Sequence, residues 1–353
     1  MGLPAMTGIT TDQINFPYTA VQLTGTINRL PNLYGLINDL NVFPSAGSMS
    51  TLVEVRREEN TLAVLPAVDR GGPATVAKRT PGDTLYFEIP HFPLDDVIKP
   101  QDLQNLITVV GTSAHPRTLE DETAKRLFAI RNRHSITLEW IRMGALKGLL
   151  TDGKGNTIYD LFAAFNFQKT IIYFDLSNPN ADITGQCEKL FEAIVTNLRG
   201  ETMSYIEVIV SPSFFNAFVQ HPKVEKFWVN WQAAAQLANI ERVKSGGQMG
   251  RVFEFQQIRW REYYGRAPVN GVSSPFVADN KGHARPVGTM DSFYTHFAPA
   301  NDIRFVNMPG KEVYVSPKIL DHGAGVELHT ESNPLAICRR PEMLVEVDAG
   351  AQQ

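Results

Sequence analysis

The sequence predicts an α+β fold, and three observations carry that reading. Residues 118–150 repeat apolar side chains at three- and four-residue steps, the period of one long helix. Residues 48–93 switch to alternation with turn residues between, the pattern of a two-stranded ribbon. Beyond residue 155, strand-like and helix-like runs follow one another irregularly, without the repeating unit of a parallel α/β sheet.

The elements follow in order. Residues 1–18 carry Gly, Pro, Thr and Asn without a clear period and read as an extended arm. Residues 19–30 predict a short helix with Thr19 as its cap and Leu23, Ile27 and Leu30 on one side; Pro31 stops it. A second short apolar piece spans 33–43 and closes at Pro44. In the ribbon, Leu52, Glu54 and Arg56 share one face, and Val53 and Val55 the other. A turn at Glu58-Glu59-Asn60 leads to an apolar run over 62–65, a polar Gly-rich tip follows, and Pro81-Gly82-Asp83 precedes a return strand over 84–89. Such a ribbon has too little core to stand alone, so its own domain or a neighbouring chain must cover it.

The long helix opens on Thr118 and Asp121, which resemble a capping box. Glu120, Asp121 and Glu122 crowd its start while Arg131, Arg133, Arg142 and Lys147 come later, complementing the helix dipole. Its apolar side is read as Ala124, Leu127, His134, Leu138, Ile141, Ala145 and Leu149, ending at Thr151-Asp152-Gly153. At about 48 Å it exceeds the roughly 20 Å radius of gyration of a globule this size, so it is a backbone on which other elements lie. Further on, strands are expected over 170–175 and 206–210, and helices over 185–198, 212–220 and 224–240, the last two broken at His221-Pro222. A turn is expected at Ser245-Gly246-Gly247 and strand character over 252–264. After 265 the chain reads as loop-rich, with strands near 303–306, 312–315, 325–330 and 343–347.

Composition narrows the function. At 353 residues, 43% hydrophobic and 20% charged, the chain can bury a sizeable core in about two domains or one elaborate fold. A net charge of -4 argues against a dedicated nucleic-acid binder. Cys187 and Cys338 are far apart and belong to no C-x-x-C pair, which fits two buried small side chains in a reducing compartment. The first residues lack the basic and apolar regions of a secretory signal, and no window approaches the ~18 apolar residues of a membrane span. The chain therefore reads as cytosolic and soluble.

No phosphate-binding loop, dinucleotide fingerprint, nucleophile elbow or H-E-x-x-H motif is present, so no catalytic, cofactor-binding or metal residue is assigned. Gly153-Lys154-Gly155 follows the long helix and reads as its stop, since a phosphate loop would open a helix. His322 and His329, with Asp321, Glu327 and Glu331 nearby, allow a metal site, but hydrogen-bonded histidines are the simpler reading. Asp95 and Asp96, being adjacent in a strand, diverge. Phe227, Trp228 and Trp231 lie at helical spacing and read as core or as a subunit contact.

Four stretches carry a family resemblance: LTGTINRLPNLYGLINDLNVFP (23–44); TLAVLPAVDRGGPA (61–74) with FEIPHFPLDDVIKPQDLQNL (87–106); VIVSPSFFNAFVQHPKVEKFW (208–228); and HFAPANDIRFVNMPGKEVYVSPK (296–318) with ESNPLAICRRPEMLVEV (331–347). In this order they resemble the major capsid protein E family of tailed bacteriophages, lambda-type shell proteins with the HK-ninety-seven-like fold. The resemblance implies an N-terminal arm over 1–47, an extended E-loop over 48–93, and a P-domain over 94–154 built on the 118–150 spine helix. It further implies a region over 155–310 that is mainly A-domain, and strands over 311–353 that complete the two domains. It implies a non-enzymatic major capsid protein that assembles into an icosahedral shell around double-stranded DNA, without sequence-specific binding and without a cofactor or membrane contact. The implied location is the virion, after assembly in the host cytoplasm. Implied partners are further copies in hexamers and pentamers, a scaffolding protein, a portal and, where the shell carries one, a decoration protein. Since 47 residues precede the ribbon, a separate scaffolding protein is expected rather than an internal one. The subunit-contact candidates are Arg70, Gly71, Gly72, Lys78 and Arg79 at the ribbon tip, with Trp228 and Trp231. Lys78 is the only lysine between 48 and 93, and it is expected to stay uncrosslinked although some relatives of the fold join subunits through a Lys–Asn bond. An encapsulin-type compartment shell shares the fold and is the alternative; a cytosolic hydrolase is the reading from a different class.

Overall fold

Thr19 starts the first helix as its sequence demands. Its hydroxyl accepts from the Gln22 N–H, and the Gln22 side chain accepts from the Thr19 N–H, so two N–H groups of an open helix end are satisfied. Helix α1 then runs Ala20–Arg29. The computed structural model describes residues 16–32, 34–56, 84–104, 107–110, 113–116, 118–237, 244–245 and 248–352. The ribbon turn at Glu58-Glu59-Asn60, the run over 62–65 and the whole ribbon tip lie outside the described residues.

The helices after α1 are α2 (Leu36–Asp39), α3 (Leu119–Lys147), α4 (Leu161–Ala164), α5 (Ile183–Asn197), α6 (Pro212–Gln220) and α7 (Pro222–Leu237). The chain divides into two units, and α3 contributes residues 119–133 to the first and 134–147 to the second.

The first unit draws on residues up to Pro31, on His91–Arg133 and on Lys311–Ser332. Its antiparallel sheet has Val326–Ser332 at the centre, flanked by Tyr314–Ile319 and Phe92–Ile98. Leu23 and Ile27 of α1 pack with Ile98, Leu127, Ile130, Val313, Val315, Val326 and Leu328. One turn apart on α1, Asn28 exchanges hydrogen bonds with the Val313 backbone (2.8 and 3.2 Å) and Thr24 accepts from the Val315 N–H (3.0 Å). Two polar side chains thus satisfy a strand edge that would otherwise face apolar packing. Thr118 and Asp121 exchange side-chain-to-backbone bonds at 3.2 Å, so the cap of α3 is the one its sequence predicts.

The second unit holds a mixed six-stranded sheet in the order Val252–Phe255, Ile258–Glu262, Tyr205–Val210, Lys281–Val287, Val345–Asp348, Thr170–Tyr173. Helices α5, α6 and α7 cover one face. Their side chains, among them Leu190, Phe214, Phe218 and Val224, join Val208, Val210, Trp260 and Val347 in the main core. The unit also holds a three-stranded sheet (Ser45–Gly47, Phe293–Phe297, Pro334–Cys338), the ribbon legs (Leu52–Arg56 against Thr84–Glu88) and smaller two-stranded pairs.

Several expectations are corrected. Helix α3 ends at Lys147, because Gly148 adopts φ +79° and the Phe162 ring fills the place of a Cβ there. Leu149–Thr151 is a strand paired with Thr157–Asp160, so Gly153-Lys154-Gly155 is a hairpin loop rather than a helix stop. The Asp152 carboxylate organises that loop by accepting from the Lys154 and Asn156 N–H groups. Ala124 and Leu149 are exposed and leave the apolar side of α3. The strand character over 252–264 holds, as two strands, Val252–Phe255 and Ile258–Glu262, that turn at Gln256 and Gln257, both at positive φ (52° and 59°). Residues 303–306 form turns and no strand: the Phe305 N–H bonds to the Asp302 carbonyl and the Arg304 N–H to the Asp302 carboxylate. Strands at Lys281–Val287, Phe293–Phe297 and Pro334–Cys338 stand where the sequence predicts loop.

Candidate subunit-contact surfaces

The ribbon candidates Arg70, Gly71, Gly72, Lys78 and Arg79 lie outside the described residues. The ribbon base is described, and its alternation holds. Val53, Val55 and Phe87 point inward and are buried, while Leu52, Glu54 and Tyr86 face outward. Phe87 meets Tyr159 edge-on at 5.3 Å and stacks on Phe165 at 5.9 Å. The Tyr159 hydroxyl donates to the Glu88 carbonyl and accepts from its N–H, both at 2.9 Å. The chain therefore covers one face of its own ribbon base and leaves Leu52 and Tyr86 bare.

Trp228 is half-buried and meets Phe215 and Phe253 edge-on at 5.6 and 5.2 Å, which makes it part of the main core's margin. Trp231 follows on α7, with its side chain outside the described residues. Phe227, by contrast, is 57% exposed. Another bare apolar patch is the 303–308 turn, where Ile303 is 91% exposed beside Val306 and Met308 while Phe305 turns into the core.

Of the two histidines, His329 is hydrogen-bonded and His322 is not brought beside it. His329 bonds Asp95 through Nδ1 and Glu331 through Nε2 (3.1 Å), and His322 stands exposed in a turn. Asp96 faces away from Asp95 and pairs with Arg126 at 3.1 Å. Among the described residues, no group of three or more His, Cys, Asp or Glu could hold a metal ion. Cys187 and Cys338 are buried free thiols, and burial pushes the Cys187 thiol up to about 12. No described helix is long and apolar enough to cross a membrane.

Sequence reasoning missed the buried charges. Glu139 is fully buried on α3 and accepts from the Ile37 N–H (2.9 Å), the Asn38 N–H (3.0 Å) and the Tyr263 hydroxyl (3.0 Å). Burial outweighs those donors and pushes its carboxyl up to about 7. One turn on, Arg142 donates to Thr295 (3.0 Å), Asn38 (2.7 Å) and Ser45 (3.1 Å). The pair ties the 35–45 segment to the long helix. Their signal was present: two charges three apart, inside the apolar side set by Leu138, Ile141 and Ala145. Across the six-stranded sheet, Glu207 pairs with both Arg261 (3.0 Å) and Arg285, and Glu346 pairs with Lys169 and Lys281. His283 is buried beside them; burial, with Lys147 adding to it, pushes its imidazole down to about 3. These groups tie strands and segments of the second unit together through buried ion pairs and hydrogen bonds.

Comparison with known proteins places this arrangement. The profile of the family described as phage major capsid protein E matches residues 19–349. The major capsid protein of Salmonella phage Felix O1 is 30% identical, over 94% of this chain and 96% of its own. That of Pseudomonas phage KPP10 is 27% identical, over 95% and 97%. Among solved structures, an Escherichia coli CFT073 prophage protein described as a capsid protein is similar with a TM-score of 0.61 at 16% identity, over 94% of this chain and 99% of that one. A phage-related protein from Bordetella bronchiseptica RB50 is similar with a TM-score of 0.51 at 11% identity, over 93% and 96%.

Proposed function

The chain belongs to the phage major capsid protein E family, is a major capsid protein of a tailed phage with the HK-ninety-seven-like fold, and is a component of the virion; from that premise we propose how copies of it build the shell. They assemble, in hexamers and pentamers, into an icosahedral shell around double-stranded DNA. The role is structural, with no catalytic step. The observation that supports this most is the family match running through both units of the fold, from residue 19 to 349.

Residues 1–47 serve as the arm and 48–93 as the E-loop laid over a neighbour. The P-domain occupies 94–154, 155–310 is mainly A-domain, and 311–353 supplies completing strands. Arg70, Gly71, Gly72, Lys78 and Arg79 belong to the E-loop contact, where the three cations meet acidic groups of a neighbour, and Trp228 and Trp231 lie beside a subunit contact on α7. The bare apolar groups Leu52, Tyr86, Ile303, Val306 and Met308 support distributed burial between copies, because apolar surface gains by leaving water. A net charge of -4 suits a wall that confines DNA without gripping it. A scaffolding protein directs assembly in the host cytoplasm, a portal occupies one vertex, and a decoration protein binds where the mature shell carries one.

The test is expression of the chain alone and with its phage's scaffolding protein, followed by sedimentation and electron microscopy. Closed particles of uniform size are expected. A chain that stays monomeric under both conditions sinks the proposal.

A further inference from the structure

Two helices of the second unit carry matching outer stripes of opposite charge. On α5, Glu188, Phe191, Glu192 and Val195 are exposed at positions i, i+3, i+4 and i+7, one face of the helix. On α7, Lys223, Lys226, Phe227 and Asn230 are exposed at the same four steps. One stripe is acidic and apolar, the other basic and apolar; exposed Lys189 on α5 and exposed Glu225 on α7 stand beside these faces, off the four steps that define them. The Lys223 ammonium also donates to the Asn180 carbonyl at 3.0 Å, and Phe227 rests edge-on against Phe255 at 5.5 Å, so both are held in place rather than splayed into water.

Their placement decides what the stripes can meet. Both helices belong to the layer covering the apolar face of the six-stranded sheet. Helix α7 lies against Val252–Phe255 at one edge, and α5 against Thr170–Tyr173 and Val345–Asp348 at the other. Five strand spacings separate those edges, about 24 Å, with α6 between, against Ile258–Glu262. A copy therefore cannot join its own stripes. Like charges one turn apart, as in Glu188 with Glu192, repel on an isolated helix, and Lys189 three residues before Glu192 offsets this only from the flank of the stripe. An opposing basic stripe turns that repulsion into attraction, and the apolar groups between exclude water from the contact.

We propose that the acidic stripe of α5 on one copy docks against the basic stripe of α7 on the next. Separate stripes of opposite sign at opposite edges suit a head-to-tail contact, which repeats around a ring when the rotation closes. A two-fold contact would instead need both signs on a single patch. The inference rests on the self-assembly proposed above and names the surfaces that join neighbours within one ring.

The experiment is a charge swap. Glu188→Lys with Glu192→Lys, and separately Lys223→Glu with Lys226→Glu, are each expected to cut particle yield at least tenfold at low salt, with an unchanged circular dichroism spectrum. The variant carrying all four substitutions is expected to recover particles, because the attraction is restored with its sign exchanged. As a second measurement, Glu192→Cys with Lys226→Cys, oxidised after assembly, is expected to give a ladder of covalent multimers on a non-reducing gel, and either cysteine alone none. Buried Cys187 and Cys338 leave that readout clean. Wild-type particle yields from both reversed variants, or particles without the ladder, overturn the contact. Failure of the wild-type chain itself to form particles would reject the self-assembly reading and the contact with it.

Discussion

On one face of the six-stranded sheet Phe174, Phe214, Phe218 and Trp260 pack ring against ring, with centroids 4.4–6.2 Å apart. On the other face, one residue along the same strands, lie Glu207, Arg261, His283, Arg285 and Glu346, buried almost as fully. The apolar face gains by leaving water, without regard to direction, and asks only for volume and close packing. The charged face loses hydration and recovers it only through bonds of defined geometry: Glu207 sits between two guanidinium groups, and Glu346 between two ammonium groups. The first face should therefore tolerate changes of shape, and the second should tolerate none that strand a partner.

The largest effect follows from that asymmetry. Glu207→Ala leaves Arg261 and Arg285 facing each other unpaired and is expected to cost about 3–5 kcal/mol, read from urea unfolding followed by tryptophan fluorescence on unassembled subunits. Replacing all three together (Glu207→Met, Arg261→Leu, Arg285→Leu) should give a subunit at least as stable as wild type; a large loss there would show that the charged face contributes more than its own pairing. On the apolar face Leu190→Ala should cost about 2–5 kcal/mol. Leu190→Met should cost less than about 1.5 kcal/mol, and equal losses from the two would contradict the tolerance of this face.

Acid sharpens the contrast further. His283 is held neutral, its value pushed from 6.5 down to about 3, so the unfolded chain binds the extra proton and this group's stabilising contribution is lost as pH falls below 6.5. Between pH 6.5 and 5 that amounts to about 2 kcal/mol at 1.36 kcal/mol per unit. Glu139 works in the opposite direction. Its value is raised from 4.5 to about 7, so its protonated form favours the fold and stability rises as pH falls from 7 toward 4.5. His283→Gln should therefore leave a subunit that gains stability on mild acidification relative to wild type, measured as melting temperature at pH 7 and pH 5. An unchanged pH dependence would show that His283 is not held neutral. The smallest effect belongs to the sheet's rim, where Glu254 pairs with Arg259 at 2.7 Å in contact with water. Glu254→Ala should change stability by no more than about 1 kcal/mol, and chemical denaturation should barely resolve it.

The same contrast explains which elements were legible in advance. Helix α6 has the bounds its sequence predicts, 212–220, and the structure shows local reasons for them: Ser211 caps it, Pro212 opens it, and Phe214, Phe215 and Phe218 form its buried side. The caps of α1 and α3 were equally local. Lys281–Val287, a central strand, falls in a stretch whose sequence pattern predicts loop. Its Gly282 stands where a Cβ would come within 2.5 Å of Val210, and its His283 and Arg285 look like surface residues until Glu346 and Glu207, 63 and 78 positions away, are brought beside them. Of the contact candidates, the outward face of the ribbon base was legible from its alternation. The paired stripes of α5 and α7 were not, because their meaning depends on which sheet edge each helix covers.

By itself the sequence determined the α+β class, the caps of α1 and α3, the buried thiols and, through four motifs in order, the capsid family. Each of these depends on residues within a few turns of one another or on a linear pattern. Tertiary structure alone decided that α3 stops at Gly148, where a ring from Phe162 occupies the space, and that Glu139 and Arg142 are buried on its apolar side. It also decided that the second face of the main sheet is built from charge. Burying an ion is unfavourable until its counter-ion arrives, and here the counter-ions are 54 to 177 residues distant in the chain, beyond the reach of any local pattern.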